Sequence, residues 1–149
     1  MLPYIMKVFY TWEDFDRDCR ELAEIIKINK VEYTKIIAVT RGGLFVAGMM
    51  SHFLNRVPID TVCLNSYDGT KQKLMTVLKA DSSDEKVLIC DDVVDTGNTA
   101  RELKEMYPNG KLVVLHYKSI RSPDIKPDYF ISDTNDWIVY PWEVGEDVL

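Results

Sequence analysis

The sequence has no apolar run approaching the roughly 20 residues that a membrane-spanning helix needs, so no transmembrane segment is expected. Its opening, MLPYIMKVFYTWEDF, puts no basic stretch ahead of a long apolar core, and no secretory leader is expected either. Cysteine is scarce: Cys19, Cys63 and Cys90 are odd in number, widely spaced and without a CxxC pair. That argues against a disulfide framework and a thiolate zinc site, and fits the reducing cytoplasm. Cys90 closes an apolar run and reads as a small buried hydrophobe. Positive charge is in deficit, with 18 Lys and Arg against 24 Asp and Glu and a net charge of −6. Nucleic acid is therefore not expected as a partner, because binding it requires a basic surface that displaces phosphate counterions. One small anion remains compatible, since backbone amides or a metal ion can supply positive field locally. His52 and His116 lack a carboxylate or cysteine at ligand spacing and read as structural.

Repeats, low-complexity tracts and linkers are also missing, which leaves one domain in 149 residues. What is present is ordinary globular composition, 46% hydrophobic and 28% charged. Thr11 opens a helix through a capping box with Asp14, and Trp12, Phe15, Cys19, Leu22 and Ile25/Ile26 then recur at helical spacing. KIIAVT (35–40), IDTVCLNSY (59–67), VLIC (87–90) and KLVVLHYK (111–118) read as strands, and YFIS as a short one. LFVAGMMSHFL (44–54) and ARELKEMY (100–107) read as helices. The polar stretch 68–86 has weak strand character near Leu74–Leu78, and residues 119–149 read as largely irregular. Apolar strands alternating with helices predict an α/β fold with a mostly parallel sheet covered on both faces. Ligands then sit beyond the carboxyl ends of the strands. TRGG, DDVVDTGNT and HYKSIRS all fall at that edge.

In DTGNTA, Gly97 permits a tight turn with positive φ, and Asn98 tolerates one. Thr96 and Thr99 add hydroxyls, and the helix starting near Ala100 adds unpaired N–H groups and a positive dipole end. The set reads as a phosphate cradle or as an ordinary strand-to-helix turn. Asp91 and Asp92, adjacent at a strand end, should point to opposite sides of the backbone and are poor candidates for one shared proton. They suit a hydrated Mg²⁺ or the diol of a sugar, or are simply a solvated strand end. Asp95 suits acid–base work, or a helix N-terminus. Arg41 with Gly42 suits a diphosphate or belongs to an ordinary structural turn, and Lys71 and Lys73 in the polar loop can reach a phosphate or are simply solvated. Lys118 can meet a ligand carbonyl or snorkel, and Trp137 can cover the core or stack on a flat heterocycle.

VLICDDVVDTGNTA resembles the phosphoribosyl-diphosphate-binding motif of the type I phosphoribosyltransferases, and AVTRGGLFVAGMM is similar to their diphosphate loop. DTVCLNSYDGTKQ, EMYPNGKLVVLHYK and DWIVYPWE resemble the xanthine-guanine branch, so the likeness covers nearly the whole chain. It implies a single-domain type I phosphoribosyltransferase fold: a mostly parallel twisted sheet flanked by helices, with a small C-terminal hood over about 118–149. It implies a cytoplasmic, Mg²⁺-dependent purine salvage enzyme, a homodimer or homotetramer. Guanine, xanthine or hypoxanthine would react with phosphoribosyl diphosphate to give the nucleoside monophosphate and diphosphate. By position, Asp91 and Asp92 would hold the ribose hydroxyls and Mg²⁺, and Asp95 would contact purine N7 as general base. Thr96, Gly97, Asn98, Thr99 and Ala100 would surround the 5′-phosphate. Thr40, Arg41, Gly42 and Lys73 would hold the diphosphate, with a strained or cis Thr40–Arg41 peptide. Lys118 would reach the 6-oxygen, Trp137 would stack and Ile138 would present backbone to the 2-position.

Two positions depart from the family pattern, Asn98 for glycine and Lys73 for arginine. A nucleotide-sensing regulator on the same fold, or a transferase for another base, are the alternatives. A phosphatase of the Asp-x-Asp type is disfavoured by the 91, 92, 95 spacing.

Overall fold

The computed structural model describes residues 6–67, 74–79 and 84–143. The order along the chain is β1 (Lys7–Phe9), α1 (Trp12–Ile28), β2 (Lys35–Thr40), α2 (Gly42–Phe53), β3 (Ile59–Tyr67) and β4 (Leu74–Lys79). There follow β5 (Val87–Val94), α3 (Asn98–Met106), β6 (Lys111–Tyr117), β7 (Tyr129–Asp133) and β8 (Trp137–Val139). Thr11 caps α1 as anticipated: its hydroxyl accepts from Asp14 N at 3.0 Å while its own N–H donates to Asp14 Oδ2 at 2.9 Å. The helical stripe turns Phe15, Cys19, Leu22 and Ile26 into the core, while Trp12 at its start stays half exposed.

The main sheet runs β4-β3-β2-β5-β6-β7, parallel throughout except for the β3–β4 pair. Alternation along β2 sends Ile36 and Ala38 into the core under α1 and α2, and Ile37 and Val39 into the core under α3. Burying both faces is why these strands read as unbroken apolar runs. The chain leaves β2 toward β3 and leaves β5 toward β6, in opposite directions. The crevice between the β2 and β5 ends is thus a topological switch point.

Three boundaries differ from the sequence reading. α2 begins at Gly42, two residues earlier, because neither glycine opposes the close approach of helix to strand. β5 does not stop at Cys90 but continues to Val94, since β6 goes on pairing with it past both acids, from Asp91↔Val114 to Val94↔Tyr117. Beyond β7, β8 pairs in parallel with the N-terminal β1, from Lys7↔Trp137 to Phe9↔Val139. Three-residue strands carry too little alternation to be seen in sequence.

Candidate active site

Glycine chemistry shapes the first wall of the crevice. A Cβ on Gly43 would lie 2.2 Å from the carbonyl oxygen of Cys90, and one on Gly42 would lie 2.2 Å from Asp92 Oδ2. The N-terminus of α2 therefore rests directly on β5. The Thr40–Arg41 peptide just before it is cis, as the sequence reading anticipated. Arg41 lies exposed at the mouth of a cavity of about 370 Å³, lined also by Gly42, Phe45, Asp92, Trp142 and Glu143. Trp142 is sandwiched there, stacked on Phe45 at 4.6 Å and on Tyr140 at 5.0 Å between centroids.

The second wall is the end of β5. Asp91 accepts from Asp92 N at 2.9 Å, and Asp92 accepts from Val93 N at 2.7 Å. Each carboxylate thus folds forward along the chain instead of standing clear of it. Burial raises the pKa of both, and for Asp91 the negative charge of Asp92 raises it further. Among the described residues no cation pairs with either acid.

Past β5 the chain turns through Asp95, Thr96 and Gly97 into α3, and with Asp91, Asp92, Asn98, Thr99 and Ala100 these line a cavity of about 230 Å³. Gly97 has φ 88°, the left-handed region that its lack of a Cβ permits. Asn98 is already helical, so only Gly97 in this turn needs that freedom. The Asn98 side chain accepts from Arg101 Nη1 at 3.2 Å, and the same group reaches Thr96 O at 3.3 Å. The first N–H groups of α3 and its dipole end face the turn.

Asp95 meets the third loop. Lys118 Nζ lies 3.8 Å from its Oδ2, and Arg121 Nε donates to its Oδ1. Lys118 is buried, which lowers its pKa, while Asp95 raises it in compensation. Its ammonium also sits 5.5 Å from the centre of the Trp137 ring. Ile138 is buried beside it in β8. Below, His116 Nδ1 lies 2.9 Å from the Tyr140 hydroxyl, which donates to Asp92 O at 3.3 Å. Burial pushes the His116 pKa down to about 4, consistent with a structural histidine.

The structure thus brings together Thr40, Arg41, Gly42, Asp91, Asp92, Asp95, the 96–100 turn, Lys118, Trp137 and Ile138 along one sheet edge. Lys71 and Lys73 lie outside the described residues. Sequence reasoning missed Arg121 and Trp142. Arg121 was visible in HYKSIRS, three residues after Lys118, but only the shape of the turn shows that both cations face one carboxylate.

A parallel sheet with a phosphate-sized turn, an acid pair and a charged third loop at its switch point defines a nucleotide-type transferase site. The chain belongs to the phosphoribosyltransferase family: the phosphoribosyl transferase domain model matches residues 7–148. It is 39% identical over 141 residues to the xanthine-guanine phosphoribosyltransferase of Vibrio parahaemolyticus, covering 93% of this chain and 90% of that one. Its fold is similar to the purine phosphoribosyltransferase of Pyrococcus horikoshii, with TM-score 0.80, 33% identity and 92% and 94% of the two chains covered. The xanthine-guanine-hypoxanthine phosphoribosyltransferase of Helicobacter pylori follows, with TM-score 0.77, 26% identity and coverage of 93% and 94%.

Proposed function

We propose that the chain salvages 6-oxopurines, joining guanine, xanthine or hypoxanthine to phosphoribosyl diphosphate and releasing diphosphate. The observation that carries this reading is Lys118, a buried ammonium set between Asp95 and the Trp137 ring. An ammonium only donates, so it matches a 6-oxo group and not the 6-amino group of adenine. The names of the relatives at 39% and 26% identity support it.

In this reading the 96–100 turn binds the 5′-phosphate through α3 N–H groups and the Thr96 and Thr99 hydroxyls. Thr40, Arg41 and Gly42 bind the diphosphate, joined by Lys73. Trp137 stacks on the base, Ile138 offers backbone to the 2-position, and Asp95 accepts at N7. Asp91 and Asp92 hold the ribose hydroxyls and Mg²⁺. Among the described residues no three candidate ligands converge, which suits an ion that binds one or two carboxylates and completes its shell with water and substrate oxygens. When bound, Mg²⁺ neutralises charge on the diphosphate. As the bond from ribose C1 to diphosphate breaks, the sugar becomes cationic and the carboxylates near it stabilise that charge. Arg41 and Lys73 stabilise the departing anion; losing one such contact costs roughly 3–4 kcal/mol, or on the order of 10²–10³ in rate.

In this reading the enzyme acts in the cytoplasm, as the family resemblance implies. A homodimer or homotetramer is supported by an apolar groove lined by Trp12, Leu44, Phe45 and Met49, the first three 52%, 42% and 38% exposed. Diphosphate release measured separately with each base tests the activity. Turnover is expected with the 6-oxopurines and little with adenine; equal rates with adenine would remove the role given to Lys118.

A further inference from the structure

We infer that Arg121 is a positioning residue for Asp95, holding one carboxylate oxygen so that the other stays aimed at the purine. The inference rests on the role given above to Asp95, and concerns what keeps that acid in place while Lys118 turns to the base.

Each Asp95 oxygen has its own cation: Arg121 Nε on Oδ1, and Lys118 Nζ 3.8 Å from Oδ2. The two cations come from one turn. The carbonyl of Lys118 accepts from Arg121 N at 3.0 Å, from Ser122 N at 3.0 Å and from Ser122 Oγ at 3.1 Å. Tyr117 Oη donates to Ser122 O at 2.7 Å, closing the same turn from below. Backbone and hydroxyl contacts therefore set the shape of the turn, without the guanidinium.

Nor is Arg121 what fastens this segment to the phosphate turn. Arg101 grips Asp124 through Nε at 2.9 Å and Nη2 at 2.8 Å, and Ile125 packs where a Gly97 side chain would be. Yet the Arg121 side chain is 5% exposed, beside a carboxylate that is 27% exposed. Burying a guanidinium is costly, and a turn already shaped and stapled gains little structure from it. What it supplies is a fixed direction. Lys118, at 3.8 Å from Oδ2, lies beyond ordinary hydrogen-bond length, so it can leave for the 6-oxygen without breaking a close bond. Arg121 then remains as the contact that keeps Asp95 oriented. A planar guanidinium suits that task better than a flexible ammonium.

The test is steady-state kinetics of Arg121→Met, Arg121→Lys, Asp95→Asn and the Arg121→Met/Asp95→Asn double variant, with melting temperatures recorded alongside. Arg121→Met is expected to lower kcat roughly 10- to 100-fold, the scale of a misplaced reacting group, with KM for phosphoribosyl diphosphate within about twofold. Arg121→Lys should recover part of the loss. The double variant should be no slower than Asp95→Asn alone, because Arg121 acts through that acid. Arg121→Gln, which keeps one donor, takes the place of Arg121→Met if the latter does not fold. A lower melting temperature with unchanged kcat, or losses that multiply in the double variant, would overturn the inference. Asp95→Asn with undiminished kcat would instead remove the role of Asp95, and this inference with it. A slow Asp95→Asn beside an unimpaired Arg121→Met would remove this inference alone.

Discussion

Asp91 and Asp92 stand within four residues of Asp95, on the same strand and the turn that follows it, yet the protein surrounds them differently. The first two share a crevice with each other, accept from the backbone, and meet no cation among the described residues. Asp95 is bracketed by Lys118 and Arg121. Burial raises the pKa of the pair, so negative charge there is costly until a cation arrives. Asp95 has its countercharge built in. On the proposed function the difference separates two kinds of acid work: a pair held ready for a metal and a sugar, and a single acceptor with a fixed direction.

The comparison breaks most sharply if the arriving cation is withheld. Chelation with EDTA should cost on the order of 10³ in rate, and added Mg²⁺ should restore it; full turnover in EDTA would mean that the pair needs no metal. Next comes the packing behind the pair. Gly43→Ala would drive a methyl group into the Cys90 carbonyl, which cannot move aside, and should cost about 2–3 kcal/mol. The nearest atoms to a Gly42→Ala methyl belong to the Asp92 carboxylate, a side chain and not backbone, so its melting temperature should fall less and its kcat more. Thermal melts and initial rates of the two variants check this.

Asp91→Asn should sharpen the contrast in the opposite direction. Removing a buried charge without a counter-ion should raise the melting temperature of the ligand-free protein by about 2–4 °C while turnover falls. The same change at Asp95 should raise nothing, since it would leave two cations facing a neutral amide. A separate effect appears only in the acid limb. His116 is held neutral with a pKa near 4, below the 6.5 of an unhindered imidazole. The unfolded chain therefore takes up the proton first. The contribution is fully present above about pH 6.5 and is lost as pH falls toward 4, at no more than about 1.4 kcal/mol per unit. His116→Asn should flatten that slope between pH 6.5 and 4 in melting experiments.

Much of this was legible in the sequence because strand and loop chemistry are local. The apolar runs of β2, β5 and β6, the Thr11 capping box and the turn at Gly97 follow from neighbours a few residues apart. The length of β5 was not legible, since Asp91 and Asp92 look like a strand end until β6 is seen pairing past them. The same blindness hid the forward curl of the two acids, each of which accepts from the next backbone N–H. Arg121 was missed for a related reason: nothing in SIRS says which way a side chain on a turn will point. β1 and β8 are too short to show periodicity, and they find each other across most of the chain.

That last pairing gives the protein an order of assembly. Lys7–Phe9 leaves the ribosome ahead of the central strands of the main sheet, and Trp137–Val139 leaves after them. The loops after β2 and β5 belong to a sheet whose central strands emerge well before β8 does. A nascent chain would thus acquire the crevice between β2 and β5 before the β1–β8 brace beside Trp137. On the proposed reading, competence for the flat ring is gained after competence for the sugar, and an altered β1 would take it away first.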